Sequence, residues 1–163
     1  MSKIKYHELE GTIGLDLLHT IGDITRQIFP SPGQIEPDVS SRAEFLNTNV
    51  NGHQWVHLCL AYDGNALVGF KIGRSNDPRT FESWNGGVIP KARKQGIASE
   101  LARRQEDWCR NQGFKFLTTE TAYNNQAMLI LNLKRGFNIT GTYLDRGTNL
   151  KVILQKPLVS GSD

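Results

Sequence analysis

The sequence predicts a mixed α/β fold, an α+β arrangement with one central, mostly antiparallel, twisted sheet of six to seven strands and about four flanking helices. Three observations carry this. Apolar periodicity alternates along the chain between strand and helix spacing, in the order β, α, α, β-β-β, α, β, α, β-β. Asp63-Gly64-Asn65 separates two apolar, β-branched runs, which is the pattern of a tight hairpin. Gly96 to Asn111 gathers Ile97, Ala98, Leu101, Ala102, Trp108 and Cys109 on one side, as a helix lying on a sheet requires.

Each element has its own signal. Ile4 to Glu8 alternates as a short first strand. Leu15 to Phe29 carries Leu17, Leu18, Ile21, Ile24 and Ile28 at helical spacing, and the breaker cluster Phe29-Pro30-Ser31-Pro32-Gly33 stops it. Ser40 or Ser41 caps a short helix through Arg42 to Leu46. Trp55 to Tyr62 and Ala66 to Ile72 form the hairpin. Phe81 to Ile89 is a strand containing Gly86-Gly87, a pair that marks a bulge or the close approach of another backbone or a ligand. Gln112-Gly113 ends the amphipathic helix, in whose apolar arc Gln105 is the exception. Phe114 to Ala122 is a strand. Gln126 to Arg135 is apolar nearly all round, which predicts a buried helix, and Gly136-Phe137 closes it. Ile139 to Leu144 and Leu150 to Leu154 form a last strand pair.

The chain has 163 residues, enough for one domain with a real core, expected over 2–158 with a disordered tail over 159–163. Hydrophobic residues are 38% and charged residues 21%, a globular mixture. Nineteen basic against 16 acidic residues give +3, and the densest basic stretch is only Lys91, Arg93, Lys94, so no nucleic-acid partner is expected. No apolar leader or run of about 18 apolar residues occurs, which makes a cytoplasmic protein the expectation and a membrane partner excluded. Cys59 and Cys109 read as buried reduced thiols. His7, His19, His53 and His57 show no metal spacing, so no metal is expected.

The chemistry concentrates in Val88 to Ala98, V-I-P-K-A-R-K-Q-G-I-A. A strand ends, a basic loop with proline follows, and a helix starts near Gly96. The first N–H groups of a helix have no internal acceptor and carry the positive end of its dipole. A phosphate fits there, with glycine allowing close approach and cations adding donors. The other reading of the same residues is a plain strand-to-helix turn with solvated side chains. Walker A and GxGxxG patterns are both absent.

Arg93-Lys94-Gln95-Gly96-Ile97-Ala98, after a strand ending Val-x-Pro, resembles motif A of the GNAT acyltransferase superfamily, [RQ]-x-x-G-x-[GA]. Asn125-Gln126-Ala127-Met128, then Asn132, then Gly136-Phe137, resembles its motif B. The likeness is detailed over Phe81 to Phe137. It implies a GNAT fold splayed between the fourth and fifth strands, and an acetyl-CoA-dependent N-acetyltransferase. The acetyl group would pass to a primary amine by direct attack in a ternary complex. The resemblance assigns the pantetheine arm to the Val88-Ile89 backbone and Asn125. It assigns the pyrophosphate to Arg93, Lys94, Gln95, Gly96, Ile97 and Ala98. Met128 and Asn132 would also face the cofactor.

Motif B ordinarily carries a tyrosine where this chain has Asn132, and an amide donates a hydrogen bond but is no general acid. Tyr123 and Tyr143 are alternative donors, each also readable as a packing tyrosine. Glu120, five residues before Asn125, is the first candidate base. Glu82, entering motif A, is the second, and solvent is the third. The acceptor is a small-molecule amine or a peptide or protein amine, and a homodimer is compatible with the sequence. The rival reading is a non-catalytic acyl-CoA-binding module.

Overall fold

The computed structural model describes residues 3–29 and 39–158, without the side chains of 39–41. The elements are β1 (Lys5–Glu10), α1 (Leu15–Ile28), α2 (Val39–Val50), β2 (Trp55–Asp63), β3 (Ala66–Ser75), β4 (Thr80–Val88), α3 (Ile97–Gln112), β5 (Phe116–Ala122), α4 (Gln126–Lys134), β6 (Asn138–Asp145) and β7 (Asn149–Pro157), with a 3₁₀ turn at Pro90–Ala92. The order is the predicted one. α2 runs longer than the expected short helix, and β3 extends three residues past Ile72. The breaker residues 30–33 and the tail 159–163 lie outside the described residues.

The strands form a mixed seven-stranded sheet in the order β1-β2-β3-β4-β5-β7-β6. The pairs β1–β2, β2–β3, β5–β7 and β6–β7 are antiparallel, and β4–β5 is parallel. Residues cluster into two compact units: Met1–Asn76 with Asn85–Gln105, and Asp77–Trp84 with Glu106–Asp163. β4 therefore passes from the second unit into the first. Its ladder with β5 covers only Thr80–Glu82 against Phe116–Thr118, and each strand runs several residues further.

In the first unit, α1 buries Leu18, Ile21, Ile24 and Ile28, the side that its spacing predicts. Each such aliphatic side chain contributes about 1.5–3 kcal/mol by leaving water. Gly86 and Gly87 mark a close approach of other backbone and side chains. A Cβ on Gly86 would lie 2.8 Å from the Phe70 carbonyl oxygen, and one on Gly87 2.4 Å from Ile28 Cγ2. Only glycine lets β4 sit this tightly against β3 and α1.

In the second unit, Phe81, Trp108 and Phe114 pack ring to ring, with Phe81 5.0 Å from Trp108 and 5.1 Å from Phe114. Gly113 ends α3 at φ 87°, with the Phe114 N–H donating to the Cys109 carbonyl, and Gly136 ends α4 at φ 90°, with the Phe137 N–H donating to the Asn132 carbonyl. Both are six-to-one closures that glycine at C′ makes possible. The buried-helix expectation for α4 is corrected. Met128, Ile130, Leu131 and Leu133 are exposed, and the buried residue is Asn132. A helix apolar all round offers no stripe to choose an inner face, so composition misstates its burial.

Cys59 and Cys109 are buried and unbridged, as expected. Gln105, the polar exception in the apolar arc of α3, is fully buried. Among the described residues, no helix is long and apolar enough to cross a membrane.

Candidate active site

In the first unit, the segment after β4 builds a turn open to solvent. Ile89 donates its N–H to the Val68 carbonyl at 2.9 Å, so Ile89 faces β3 and the backbone polar groups of Val88 face the opposite edge. Both side chains are buried. The 3₁₀ turn lifts the chain off the sheet, with Ala92 donating to the Ile89 carbonyl and Arg93 to the Pro90 carbonyl. Lys94 and Gly96 then adopt positive φ, 62° and 77°. Gly96 supplies the first helical acceptor, taking the Glu100 N–H at 3.0 Å. The N–H groups of the first turn of α3 have no acceptor within the helix. They sit at the positive end of a 16-residue dipole. Lys94, Gln95, Gly96 and Ala98 are exposed, while Ile97 is buried and anchors the helix start. A Cβ on Gly96 would meet nothing within 4 Å, so its φ, not its packing, calls for glycine.

Arg93, exposed on the same turn, makes two bonds to backbone carbonyls. Its Nε donates to the Val88 carbonyl at 3.0 Å and its Nη2 to the Ile28 carbonyl at 3.2 Å. The guanidinium thus ties the end of β4 to a terminal carbonyl of α1, where a cation also complements the helix dipole. Lys94 is exposed on the turn as well.

In the second unit, Asn125 caps α4. Its Oδ1 accepts from the Met128 N–H at 3.3 Å, and both residues are exposed. Asn132 is buried, and its Nδ2 donates to Thr121 Oγ1 at 3.3 Å. It ties α4 to β5, a partner that spacing along the chain does not reveal.

The two candidate bases share a sheet face. Glu82 pairs with Thr118 in the β4–β5 register, and Glu120 lies two residues beyond Thr118 on the same side. Glu82 is half-buried and Glu120 exposed. Tyr143 Oη donates to Glu120 Oε2 at 2.6 Å. This hydrogen bond, then burial, then the charges of Glu120, Asp145 and Glu82 push the Tyr143 phenol up to about 12. In the sequence Tyr143 is readable as an alternative proton donor or as a packing tyrosine. Its contact with Glu120 depends on the β5-β7-β6 order, which no local pattern encodes. Tyr123 is exposed at the end of β5.

His53 Nδ1 lies 3.1 Å from the Val50 carbonyl at the end of α2, while His57 is fully buried beside Glu8.

Comparison with known proteins agrees with this architecture. The Acetyltransferase (GNAT) family matches residues 18–137. The chain is 32% identical over 113 residues to aminoglycoside N(6')-acetyltransferase type 1 of Klebsiella aerogenes, covering 64% of this chain and 73% of that protein. The ribosomal-protein-S18-alanine N-acetyltransferase of Escherichia coli superposes with a TM-score of 0.74 at 15% identity, over 96% of this chain and 97% of that one. A GNAT acetyltransferase from Elizabethkingia anophelis, solved with acetyl-CoA bound, gives 0.61 at 19% identity, over 94% and 97%. These two likenesses concern the fold, and the family match covers most of the sequence. This chain belongs to the GNAT acetyltransferase family.

Proposed function

We propose that the protein transfers the acetyl group of acetyl-CoA to a primary amine, and that the acceptor is a polycationic amino sugar. The observation that carries the first part is the exposed turn at the start of α3. Two positive-φ residues and an unblocked helix N-terminus present backbone N–H groups together, which is how proteins hold a pyrophosphate. In this reading Lys94, Gln95, Gly96, Ile97 and Ala98 receive the pyrophosphate, and Arg93 keeps the turn in shape. The outward edge of Val88, with Ile89 fixing its direction, pairs with the pantetheine amides. Asn125, whose cap uses Oδ1, offers its Nδ2, and Met128 lies along the arm. Asn132 supports β5 and supplies no proton.

The reaction needs no metal. The amine nitrogen attacks the thioester carbonyl, its C–N bond forms, and the C–S bond breaks as CoA thiolate leaves. The amine proton passes to Glu120, directly or through one water, with Glu82 as the second candidate. Glu120, Glu82 and Asp145 act together on Tyr143, so this face carries negative charge that suits a cationic acceptor. The aminoglycoside specificity named for the Klebsiella relative supports the same class.

The test is an amine panel containing aminoglycosides, polyamines and peptides, with free CoA release followed over time. Acetyl-CoA binding with turnover on aminoglycosides is the expected result. Binding without release of CoA on any amine would favour the non-catalytic module, a reading that the inward-facing Asn132 keeps in view. No acetyl-CoA binding at all would sink both.

A further inference from the structure

We propose that Glu8, His57 and Cys59 form a transition-metal site, best matched to zinc(II), within the first unit and independent of the acetyl-transfer reading. Along the chain these residues have no metal-binding spacing. Strand pairing assembles them. In the β1–β2 ladder Glu8 stands directly opposite Cys59, so both side chains leave the same face, and His57 lies two residues before Cys59 on that face. Glu8 Oε2 is 3.2 Å from His57 Nε2, which is 4.0 Å from Cys59 Sγ. All three donor atoms lie within 4.8 Å of one another. Ligands at about 2.0–2.3 Å from a tetrahedral zinc stand roughly 3.3–3.7 Å apart, so the cluster needs only a small contraction.

The donor set selects the ion. One thiolate, one imidazole and one carboxylate suit zinc and its borderline-soft neighbours, and do not suit magnesium or calcium, which take oxygen. Neutral histidine with two anionic ligands balances a 2+ charge in a site where His57 and Cys59 are fully buried. Glu8 comes with an outer partner. Arg104 Nη1 donates to its second oxygen, Oε1, at 3.0 Å, and is itself braced by Glu100 through Nε at 2.8 Å. That arrangement leaves Oε2 directed at the imidazole, as an outer-shell residue does for a ligating carboxylate. The Glu8 side chain is 34% exposed, so the ion enters and a fourth ligand, water, binds on that side. Binding replaces the thiol proton: Cys59–SH and M²⁺ give Cys59–S–M⁺ and H⁺, which passes to solvent.

Tag-free protein is titrated with CoCl₂, whose thiolate complexes absorb in the near ultraviolet, and then with ZnCl₂. The expected result is a thiolate-to-cobalt band saturating at one ion per chain, bleached by zinc, with a rise in melting midpoint when zinc is added. Cys59→Ser abolishes the band and Cys109→Ala keeps it. Glu8→Gln, at a partly exposed position that does not threaten folding, weakens cobalt affinity by on the order of tenfold to a hundredfold. Absence of the band in the wild-type protein overturns the proposal. So does a band that survives in folded Cys59→Ser, is lost in Cys109→Ala, or is as tight in Glu8→Gln as in the wild type.

Discussion

Tyr143 and Glu120 meet across an intervening strand: the phenol donates a 2.6 Å hydrogen bond to the carboxylate although β7 separates β6 from β5. In the ladder, Glu120 stands opposite Ile153 and Tyr143 opposite Lys151, so the bond runs diagonally over β7 on one face. A side chain as long as tyrosine is needed to span that distance.

The first prediction follows from this bond. Because the fold raises the Tyr143 pKa from 10.0 to about 12, it favours the protonated phenol. Its contribution to stability is complete below pH about 10 and is lost as pH rises through about 12. Carbon-13 NMR of the tyrosine Cζ atoms should show Tyr143 titrating late in the wild type and closer to 10 in Glu120→Gln. Unchanged titration in that variant would mean the hydrogen bond is not what holds the proton.

The second prediction separates the two carboxylates. Glu120→Gln should lower kcat/KM by about 10²-fold or more, in the range of lost general-base catalysis, and remove the acidic limb of its pH profile. Glu82→Gln should cost less than tenfold and leave the limb in place. The reverse order would make Glu82 the base, and no change in either would point to solvent.

A third concerns the turn at α3. Gly96→Val should weaken CoA binding measured by calorimetry, since a β-branched residue resists φ 77°. Its folding cost should stay near 1–2 kcal/mol, because no neighbour lies within 4 Å. Gly96→Asn, which tolerates that φ, should bind more tightly than the valine variant. Wild-type affinity in Gly96→Val would exclude the turn as the phosphate site.

The fourth tests packing at β4. Gly87→Ala places its methyl carbon 2.4 Å from Ile28 Cγ2 and should destabilise by about 1–3 kcal/mol in denaturant melts. Ile28→Ala removes that Cγ2 and costs about 2–5 kcal/mol alone. The double variant should cost less than the sum by at least about 1 kcal/mol. Simple additivity would show that the crowding is relieved elsewhere.

The fifth concerns Glu106, buried on α3 and bonded to Lys156 at 2.8 Å and Arg110 at 2.5 Å. Burial alone would raise its pKa, but Lys156 and Arg110 outweigh it and hold the carboxyl below its ordinary 4.5. The stability this group adds is therefore present above pH about 4.5 and lost as pH falls through its folded value. Glu106→Gln leaves the cations without their counter-charge and should cost roughly 2–4 kcal/mol at pH 7. The deficit should shrink in acid, and a constant deficit across pH would assign the loss to packing.

What was legible in the sequence was local. Helical spacing placed α1 and its buried side, Gly113 and Gly136 marked two helix ends, and Gly86-Gly87 announced a close approach, because each of these is decided within a few residues. The motif A turn was legible for the same reason. What escaped was set by pairing between distant strands. The Glu8–Cys59 register, the reach of Tyr143 to Glu120 and the bond from Asn132 to Thr121 all join residues that no window contains. The exposure of α4 escaped for another reason: a helix with apolar residues all round carries no directional signal. Arg93 is legible as a cation near the turn, but its carbonyl partners on β4 and α1 are not.

The two-carbonyl brace of Arg93 gives its guanidinium bonds that shape the turn, while the Lys94 ammonium stands exposed on the same turn. Ionic strength should therefore separate them. An exposed ammonium such as that of Lys94 loses its pull on an anion as the Debye length shrinks from about 10 Å at 0.1 M salt to about 3 Å at 1 M. A guanidinium hydrogen-bonded at 3.0 Å to a backbone carbonyl depends on short-range geometry and is little screened. Concentrated salt should release an anionic ligand while the empty turn keeps its form, ready to bind again on dilution.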